Sequence, residues 1–451
     1  MRSQDSRNLE NPNLGADDRA ELACELAKKL EYKGEYEEAR KALSAYWPRI
    51  GEPPRTTHLR PPTAAEVFLR AGVLTSIVGG KNQIADEQEI AKNLISESLT
   101  FFESRNDRQK IAEAQTEIAL CYWRAGEINE ARDLLQDALL HLTTDNEVKA
   151  KAVIRLGIVE PSAEEAVRVM TSHAELFEGI QNHTLKGSYH VTLGNRLENL
   201  GESEKQGSYI DRALIEFAAA GYHFELAEHK TYLANVKSNL GFLYFKINRC
   251  DEAHEHLDHA RRVYASLKDP VPIAQVDETR ACVFLKQKRL TEAERAARSS
   301  VRSLETSGRH ALLVEALITH GRALARLGRN GAALAAFRRA IELAQHVGSE
   351  HDAREAALAA FQEIGDYLGV AEDGKSASAR GLSASGRGLT EDIRSFEHDV
   401  IKRALEKAGG SVTHAARGLG MSYQALSYML QTRHKDLLEQ RTPVKRRPRK
   451  F

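Results

Sequence analysis

The feature that most constrains the fold is a spacing of small residues that recurs along most of the 451-residue chain. A turn residue, usually glycine, is followed five positions later by an alanine, and the pairs are Gly34 and Ala39, Gly126 and Ala131, Asn248 and Ala253, Lys288 and Ala293, and Gly328 and Ala333. Seven positions after the alanine comes another small residue, at Ala138, Ala260, Ser300 and Ala340. Glycine ends helices readily in the left-handed conformation, and small residues stand where two helices touch. The spacing therefore predicts a pair of helices joined by a tight turn, repeated along the chain.

The repeat has a regular period where it is clearest. The turn residues Asn248, Lys288 and Gly328 stand 40 residues apart. A helical hairpin of this kind cannot bury its apolar face alone, so stacked neighbours must share one continuous core. We therefore expect an all-α solenoid of about seven repeats over residues 17–369. The repeats around 86–98 and 161–173 are degenerate, and residues 51–62, which are rich in Pro, Arg and Thr, are expected to form a loop.

These residues resemble tetratricopeptide repeats, with connections slightly longer than usual. The resemblance implies a superhelix whose concave side is lined by the first helix of each repeat and binds a protein or peptide. Counting back from the repeat alanines places polar residues on that side, at Asn195, Asn235, Asn239, Lys246, Arg322 and Arg326. Asparagine amides can hydrogen bond to a peptide backbone, and lysine or arginine can bind carboxylates. The alternative is that these are solvated side chains on an open groove without a ligand.

A second pattern lies near the carboxyl end. Apolar residues at helical spacing predict three short helices, expected over residues 396–408, 412–419 and 423–432. Gly410 follows the first helix, and Ser411 and Ser422 are placed to cap the second and third. Ala416 supplies a small residue where two helices cross, and Gly420 supplies the turn between them. The pattern favours a helix-turn-helix over an ordinary helical hairpin.

This stretch resembles the Fis-type DNA-binding helix-turn-helix of bacterial regulators. In such a motif the last helix lies in the major groove with residues near its N-terminus at base edges, while the preceding helix crosses the backbone. The resemblance implies DNA contacts from Thr413, His414, Arg417, Ser422, Tyr423, Gln424, Ser427 and Tyr428. Gln424 can bond an adenine edge through both its donor and its acceptor, whereas the residues of the preceding helix are expected to contact phosphates. For the two tyrosines, packing against the first helix is the alternative.

Charge is distributed unevenly along the chain. Lys plus Arg and Asp plus Glu both number 64, yet residues 389–451 hold 13 basic and 7 acidic residues, which leaves a net charge of −6 on the rest. A basic end on a mildly acidic body suits a nucleic-acid-binding module. In the basic tail, Lys445, Arg446 and Arg447 are expected to follow phosphates or a minor groove. A tail that only improves solubility is the alternative.

Composition also predicts where the domains begin and end. Residues 1–16 are polar and expected to be disordered, and the repeat domain follows over 17–369. Residues 370–390 are rich in Gly, Ser and Ala and lack an apolar period, so we expect a flexible linker. The three-helix DNA-binding domain is expected over 391–440, and the basic tail over 441–451.

Several classes of site are not predicted. The chain has four cysteines, Cys24, Cys121, Cys250 and Cys282. They stand far apart without metal-ligand spacing and indicate core residues in a reducing compartment. His254, His256 and His259 would point in different directions on a helix, so we expect neither a metal nor a cofactor. No phosphate-binding loop and no nucleophile with a nearby base is found, which argues against an enzyme. No apolar run approaches a membrane span and no signal segment is seen, so we expect a cytoplasmic protein.

The sequence therefore predicts a transcriptional regulator that binds double-stranded DNA through its carboxyl end and a protein or peptide through its repeats. One helix-turn-helix makes few base contacts, so a homodimer on two half-sites is expected. The competing hypothesis is a repeat scaffold for protein assembly that does not bind DNA. An RNA-associated repeat protein is a third and weaker hypothesis.

Overall fold

The computed structural model describes residues 14–79, 84–204, 207–370, 398, 401–419 and 423–440. Every regular element within those ranges is a helix, which confirms the all-α prediction. The predictions for the N-terminal residues 1–13, for most of the 370–390 linker and for the 441–451 tail lie outside the described residues. None of the described helices is both long and apolar enough to cross a membrane.

Helices α1 to α18 make up the repeat region. Their bounds are Ala16–Tyr32, Tyr36–Ala42, Pro61–Val78, Glu87–Ser104, Arg108–Ala125, Ile128–His141, Glu147–Val159, Ala163–Ser172, Ala174–Gly179, His183–Glu204, Gly207–Leu226, Lys230–Lys246, Cys250–Leu267, Pro270–Lys286, Leu290–Leu304, His310–Arg326, Asn330–His346 and Glu350–Val370. Helices adjacent in sequence pack together as hairpins, for example α3 with α4, α5 with α6 and α12 with α13. The two stretches expected to be degenerate form α4 and α8, the second helices of their hairpins. The short helix α9, between α8 and α10, was not predicted.

The loop expected over 51–62 ends slightly earlier than the sequence suggested. Helix α3 begins at Pro61, so both Pro61 and Pro62 belong to its first turn. Proline suits that turn because its missing N–H would have no partner inside the helix. The Arg60 backbone N–H donates to the Asp17 carboxylate at 2.7 Å, which ties the end of the loop to α1.

The turn residues of the repeat adopt the conformation that the spacing requires. The φ angles are 74° at Gly34, 87° at Gly126 and 74° at Gly328, and also positive at Asn248 and Lys288. The residue after each turn then donates its N–H to a carbonyl near the end of the first helix, as Glu127 does to Tyr122 at 2.9 Å. This closure satisfies carbonyl groups that the helix end would otherwise leave without a partner.

The small residues of the repeat are buried where the helices meet. The five alanines that follow the turns are fully buried, as are the small residues seven positions later. Glycines on the first helices allow the same close approach. A Cβ atom added to Gly241 would stand 2.5 Å from the Leu257 side chain, and one added to Gly321 would stand 2.7 Å from the Phe337 ring. The spacing seen in the sequence is therefore a packing requirement of the hairpin.

The chain forms two compact units, Met1–Thr279 and Arg280–Phe451. In the first unit, one core is built around Trp47 and Leu43 and a larger one around Phe217 and Phe224. In the second unit, a core of alanines with Phe284 joins the end of α14 to α15 and α16. Among the free cysteines, Cys24 and Cys121 are buried as expected, whereas Cys250 and Cys282 are only partly buried.

Within the first unit, the first hairpin contacts helices that follow some 150 to 200 residues later. The Thr184 hydroxyl donates to the Tyr32 carbonyl at 2.6 Å, and Lys33 lies 3.4 Å from the Glu228 carboxylate. His229 is buried, stacks on Tyr232 with ring centroids 3.8 Å apart, and lies directly against Gly34. The start of the repeat region therefore contacts α10 and the turn between α11 and α12, and no local sequence pattern predicted these contacts.

Replacing Gly34 by alanine is expected to destabilise the protein more than replacing Gly126. Both glycines have positive φ, which costs an alanine about 1 kcal/mol or slightly more. At Gly34 the new Cβ would also lie 2.5 Å from the His229 ring, whereas at Gly126 no atom lies within 4 Å. Overpacking adds about 1–3 kcal/mol, so urea denaturation should show the larger loss for Gly34→Ala. Equal losses for the two variants would contradict the His229 contact.

Lowering the pH is expected to reduce the stability of the first unit, because the buried His229 side chain resists protonation in the folded state. Burial lowers the pKa of His229 from 6.5 to about 4. Between those values the unfolded state binds more protons than the folded state, so stability falls as the pH falls through that window. The loss between pH 7 and pH 5 should be about 2 kcal/mol, a range in which most carboxylates remain ionised. Denaturation at both pH values should show a smaller pH effect in His229→Gln. An unchanged pH dependence in that variant would rule out this role.

Candidate nucleic-acid interface and repeat groove

Three short helices near the carboxyl end pack together within the second unit. Residues 401–407 are helical, here called α19, and are followed by α20, Val412–Gly418, and α21, Tyr423–Thr432. Gly409 and Gly410 have φ angles of 56° and 80°, and the Gly410 N–H donates to the Leu405 carbonyl at 2.8 Å. The Ser411 hydroxyl accepts a hydrogen bond from the His414 N–H at 3.4 Å and so caps α20 as predicted. The expected roles of Gly420 and Ser422 lie outside the described residues.

A small apolar core holds this unit together. Its buried members are Ile401, Leu405, Val412, Ala415, Ala416, Leu419, Leu426, Met429, Leu430 and Leu437. Ala416 is only 2% exposed, which agrees with its predicted place between crossing helices. Leu437 comes from a short 3-10 helix, Lys435–Gln440, that follows α21 and adds a further contact to the core.

The outward face of α21 carries the residues that the sequence assigned to base edges. Gln424 is exposed, and Tyr423 and Tyr428 are 47% and 64% exposed. Both tyrosines therefore keep about half or more of their surface open to solvent, where a DNA contact is possible. Ser427 is half-buried and lies 3.5 Å from the Gln431 amide one turn later. The two aromatic rings expose apolar surface beside polar groups, a combination suited to contacts with bases and phosphates.

The preceding helix presents polar side chains to solvent as well. Thr413, His414 and Arg417 on α20 are all exposed, so each is accessible to a phosphate. Arg417 stands in the last turn of α20, where its positive charge also interacts favourably with the helix dipole. Lys445, Arg446 and Arg447 of the basic tail lie outside the described residues.

In the first unit, the predicted groove asparagines stand on two first helices of the repeats, α10 and α12. Asn195 and Asn235 are exposed, and Asn239 is half-buried. The Asn239 amide lies 3.5 Å from the Asn195 amide oxygen, so the two side chains are neighbours across the helices. The Asn235 amide oxygen accepts a hydrogen bond from the Tyr264 hydroxyl at 2.5 Å. Asn195 and Asn239 are thus brought together, while Asn235 is held by its own repeat.

Lys246, one of the cations predicted for this groove, already has carboxylate partners in the chain. Lys246 contacts Glu198 at 2.6 Å and also Glu202, and its ammonium lies 4.3 Å from the Phe242 ring centroid. Burial alone would lower the pKa of Lys246, but the hydrogen bonds to Glu198 and Glu202 raise it. Sequence analysis missed these two glutamates, although their spacing of four residues on α10 places them on one helix face.

The arginines predicted for the groove belong to the second unit. Arg326 pairs with Glu363 at 2.7 Å, and Arg322 is half-buried. The hydrogen bonds that the Arg326 guanidinium donates to the Glu363 carboxylate raise the pKa of Arg326. Like Lys246, Arg326 is therefore exposed but already paired with a carboxylate of this chain.

An ion network that the sequence did not reveal runs along the first helices of the first four hairpins. We define this inner ion network by Lys28, Glu31, Glu66, Arg70, Lys110, Glu113, Glu117, Lys151 and Arg155. Arg70 is only 1% exposed and contacts Glu113 at 2.7 Å and Glu66 at 3.3 Å. Glu117 is 2% exposed and contacts Arg155 at 2.7 Å and Lys151 at 2.9 Å.

The charges of the inner ion network hold each other ionised. Burial by itself would raise the pKa of Glu117, but the Arg155 and Lys151 charges lower it to about 2. Arg70 and Lys110 likewise hold the pKa of Glu113 well below its usual range despite its burial. A ligand entering here would have to separate buried ion pairs, which costs several kcal/mol when one partner is left unpaired. The asparagine pair on α10 and α12 is therefore the more accessible part of the predicted groove.

The histidines on α13 show no sign of a shared ligand. His256 stacks parallel on Tyr244 with ring centroids 5.3 Å apart. Among the residues that the structure describes, no three His, Cys, Asp or Glu side chains are arranged to hold a metal ion.

Comparison with family models identifies both parts of the chain. The model described as bacterial regulatory protein, Fis family, matches residues 392–431, which include α19, α20 and most of α21. Tetratricopeptide-repeat models match residues 233–267 and 314–346. The first of these repeat matches covers most of α12 and all of α13, and the second covers most of α16 and all of α17. A search of curated proteins found no match.

Solved structures of low sequence identity share the repeat fold. RapI in its apo form is 12% identical with a TM-score of 0.51, and the match covers 82% of this chain and 99% of that one. A Rap protein complexed with competence and sporulation factor is 14% identical with a TM-score of 0.51, covering 84% and 100%. A monomeric mutant of IFIT1 with Gppp-AAAA is 14% identical with a TM-score of 0.51, covering 79% and 74%. At such identity the likeness concerns the fold alone. The chain is therefore a tetratricopeptide-repeat protein with a C-terminal helix-turn-helix domain of the bacterial Fis family.

Proposed function

We propose that the protein is a sequence-specific DNA-binding transcriptional regulator whose repeat region binds a protein or peptide. The observation that supports it best is the outward face of α21. Tyr423, Gln424 and Tyr428 are exposed there, while Leu426 and Leu430 on the opposite face are completely buried. The helix is thus fixed by its inner face and offers its outer face to a groove. Double-stranded DNA is the partner that a helix-turn-helix of this family fits.

The proposed contacts divide between specificity and positioning. Gln424 near the start of α21 reads a base edge, and Tyr423, Ser427 and Tyr428 flank it. Thr413, His414 and Arg417 on α20 bind phosphates, together with the tail residues Lys445, Arg446 and Arg447. Since one such domain makes few base contacts, two copies would bind two half-sites. The matched families are regulatory and scaffold domains, which is consistent with a protein that binds rather than catalyses.

The repeat region is proposed to bind its partner along α10 and α12. Asn195 and Asn239 stand side by side, and Phe242 exposes 40% of its surface three residues further along α12. Two amides next to an exposed aromatic ring suit an extended peptide, since the amides bond its backbone and the ring packs against a side chain. Lys246 and Arg326 are less suited to capture a carboxylate because Glu198 and Glu363 already pair with them.

The full chain is expected to bind random-sequence duplex DNA, with an affinity that falls steeply as salt is added. Selection from a random duplex pool should then yield a preferred sequence. Gln424→Ala should reduce the preference for that sequence by about 1–3 kcal/mol because it removes one bidentate base contact. Fluorescence anisotropy with the selected and a scrambled duplex measures the preference.

The matched control for this experiment is Gln275→Ala. Gln275 is also exposed, but it stands on α14 in the repeat region, outside the helix-turn-helix. Its replacement should leave the sequence preference nearly unchanged. If no duplex binds the wild-type chain, the scaffold hypothesis replaces the regulator. If single-stranded RNA competes better than duplex DNA, the RNA-associated hypothesis replaces it instead.

Removing the two neighbouring asparagines should weaken partner binding by about tenfold, since each hydrogen bond contributes about 0.5–1.5 kcal/mol. The ligand would be a peptide selected from a random library on the full chain, and titration calorimetry would compare Asn195→Ala/Asn239→Ala with the wild type. Asn129→Ala is the control, because Asn129 is exposed on α6, away from α10 and α12. Equal effects of both changes would contradict the groove, as would a failure to select any peptide.

A further inference from the structure

Helix α11, Gly207–Leu226, carries apolar residues on two opposite faces. One face is buried in the core, and the other is exposed to solvent. The inner face is buried through Ala213, Phe217 and Phe224. The outer face carries Ile215, Tyr222 and Leu226, which are 67%, 60% and 49% exposed. Ala218 and Ala219 lie between them at helical spacing. We name these five outer residues the α11 stripe. A helix of a globular protein ordinarily turns charged or polar residues towards water on that side.

The other repeats show what normally stands at this position. Ile215 follows the buried Ala213 by two residues, and the residues two positions after Ala138, Ala260, Ser300 and Ala340 are Leu140, Arg262, Arg302 and Glu342. Leu140 is the one other apolar residue in this set, and its neighbours one turn away, Gln136, Asp137, Thr143 and Thr144, are polar. Helix α11 also continues 13 residues past Ala213, whereas α13 continues 7 past Ala260 and α17 continues 6 past Ala340. Tyr222 and Leu226 therefore stand on an extension that those hairpins lack. The stripe is a local departure from the repeat rather than a property of it.

The area of the stripe matches the apolar share of a dimer interface. Three large side chains that are half to two-thirds exposed, with the alanines between them, present roughly 400 Å² of apolar surface. A stable interface of standard size buries about 800 Å² per partner, of which about 56–58% is apolar. The apolar area of the α11 stripe is nearly equal to the apolar part of such an interface. The polar residues that flank the stripe would form the rim.

The order of residues in the stripe is complementary to itself. In two antiparallel copies of one helix, a two-fold axis at the centre of the stripe places Ile215 opposite Leu226 of the second copy. The same axis places Ala219 opposite Tyr222 of the second copy, so each large ring meets a small residue. A symmetric dimer requires this kind of match, because the same patch serves both partners. A different partner protein would not require large and small residues to alternate about one centre.

We infer that α11 is the interface through which two copies of this chain associate, in antiparallel contact about a two-fold axis between Ala220 and Gly221. This inference deepens the proposed function, since it names the surface that joins the two copies needed for two half-sites. It is tested without DNA, so a failure to bind DNA and a failure to associate through α11 are separate results.

The test uses charge variants of the full chain in sedimentation equilibrium. The wild type should associate as a dimer at micromolar concentrations. Ile215→Lys and Leu226→Glu should each weaken association by about tenfold or more, because each places two unpaired charges against apolar side chains. When the two variants are mixed, the lysine at 215 meets the glutamate at 226 of the other copy, and the second pair of positions keeps Ile215 against Leu226. The mixture should therefore form heterodimers more tightly than either variant associates with itself.

The control is Leu140→Lys. Leu140 on α6 is 79% exposed, but it is an isolated apolar residue, so its replacement should leave the dimer unchanged. Circular dichroism would confirm that all variants keep their helix content. A wild type that stays monomeric overturns the inference, as does a dimer that Ile215→Lys and Leu226→Glu do not weaken. The inference is also overturned if the mixed variants associate no more tightly than each variant does alone, because the proposed pairing of positions 215 and 226 would then be wrong.

Discussion

The repeat region depends on one backbone conformation, the left-handed residue at the turn between two helices. At Gly34, Gly126 and Gly328 this conformation carries little steric cost, and the following residue closes the helix end with a hydrogen bond. The same conformation is adopted at Asn248, a residue type that tolerates it better than most, and at Lys288, a residue type that disfavours it. The alanine five positions later lies against the first helix and leaves no room for a larger side chain. Geometry at the turn therefore fixes the packing of the hairpin, and this packing offsets the strain at a non-glycine turn such as Lys288.

These local requirements explain why so much of the fold could be predicted. Turn residues, buried alanines and caps such as Ser411 act within one or two turns of helix, so their spacing is visible in the sequence. The contacts between Thr184 and Tyr32, and between His229 and Gly34, join residues far apart in the chain. Nothing in the local pattern marks such partners, because a single threonine or histidine is compatible with many environments. The inner ion network could not be predicted for the same reason. In the sequence, Arg70 and Glu117 cannot be distinguished from surface charges, and their burial results from the packing of several helices.

The exposed face of α21 was predicted better than the repeat groove, and the reason is related. On α21 the buried and exposed residues alternate with the helical period, so the exposed positions of Tyr423, Gln424 and Tyr428 follow from the spacing of Leu426, Met429 and Leu430. In the repeat groove the helical period identifies a face but not the partners of its side chains. Lys246 and Arg326 were assigned to that face, yet Glu198 and Glu363 already pair with them. Which charges remain available to a ligand is decided by neighbouring repeats.

The proposed DNA contact and the α11 stripe make different contributions to binding. A single helix-turn-helix binds through phosphate contacts that are insensitive to sequence and a few base contacts that are not. Joining two copies makes the second contact intramolecular, so overall affinity rises by up to about 10²–10⁴-fold without any new contact at the bases. An interface of about 800 Å² per copy with only three large apolar residues gives moderate rather than permanent association. The two-copy state would then depend on protein concentration and on a pair of half-sites. A partner bound along α10 and α12 could alter DNA binding by shifting that equilibrium, since α11 lies between them in the chain and packs against both.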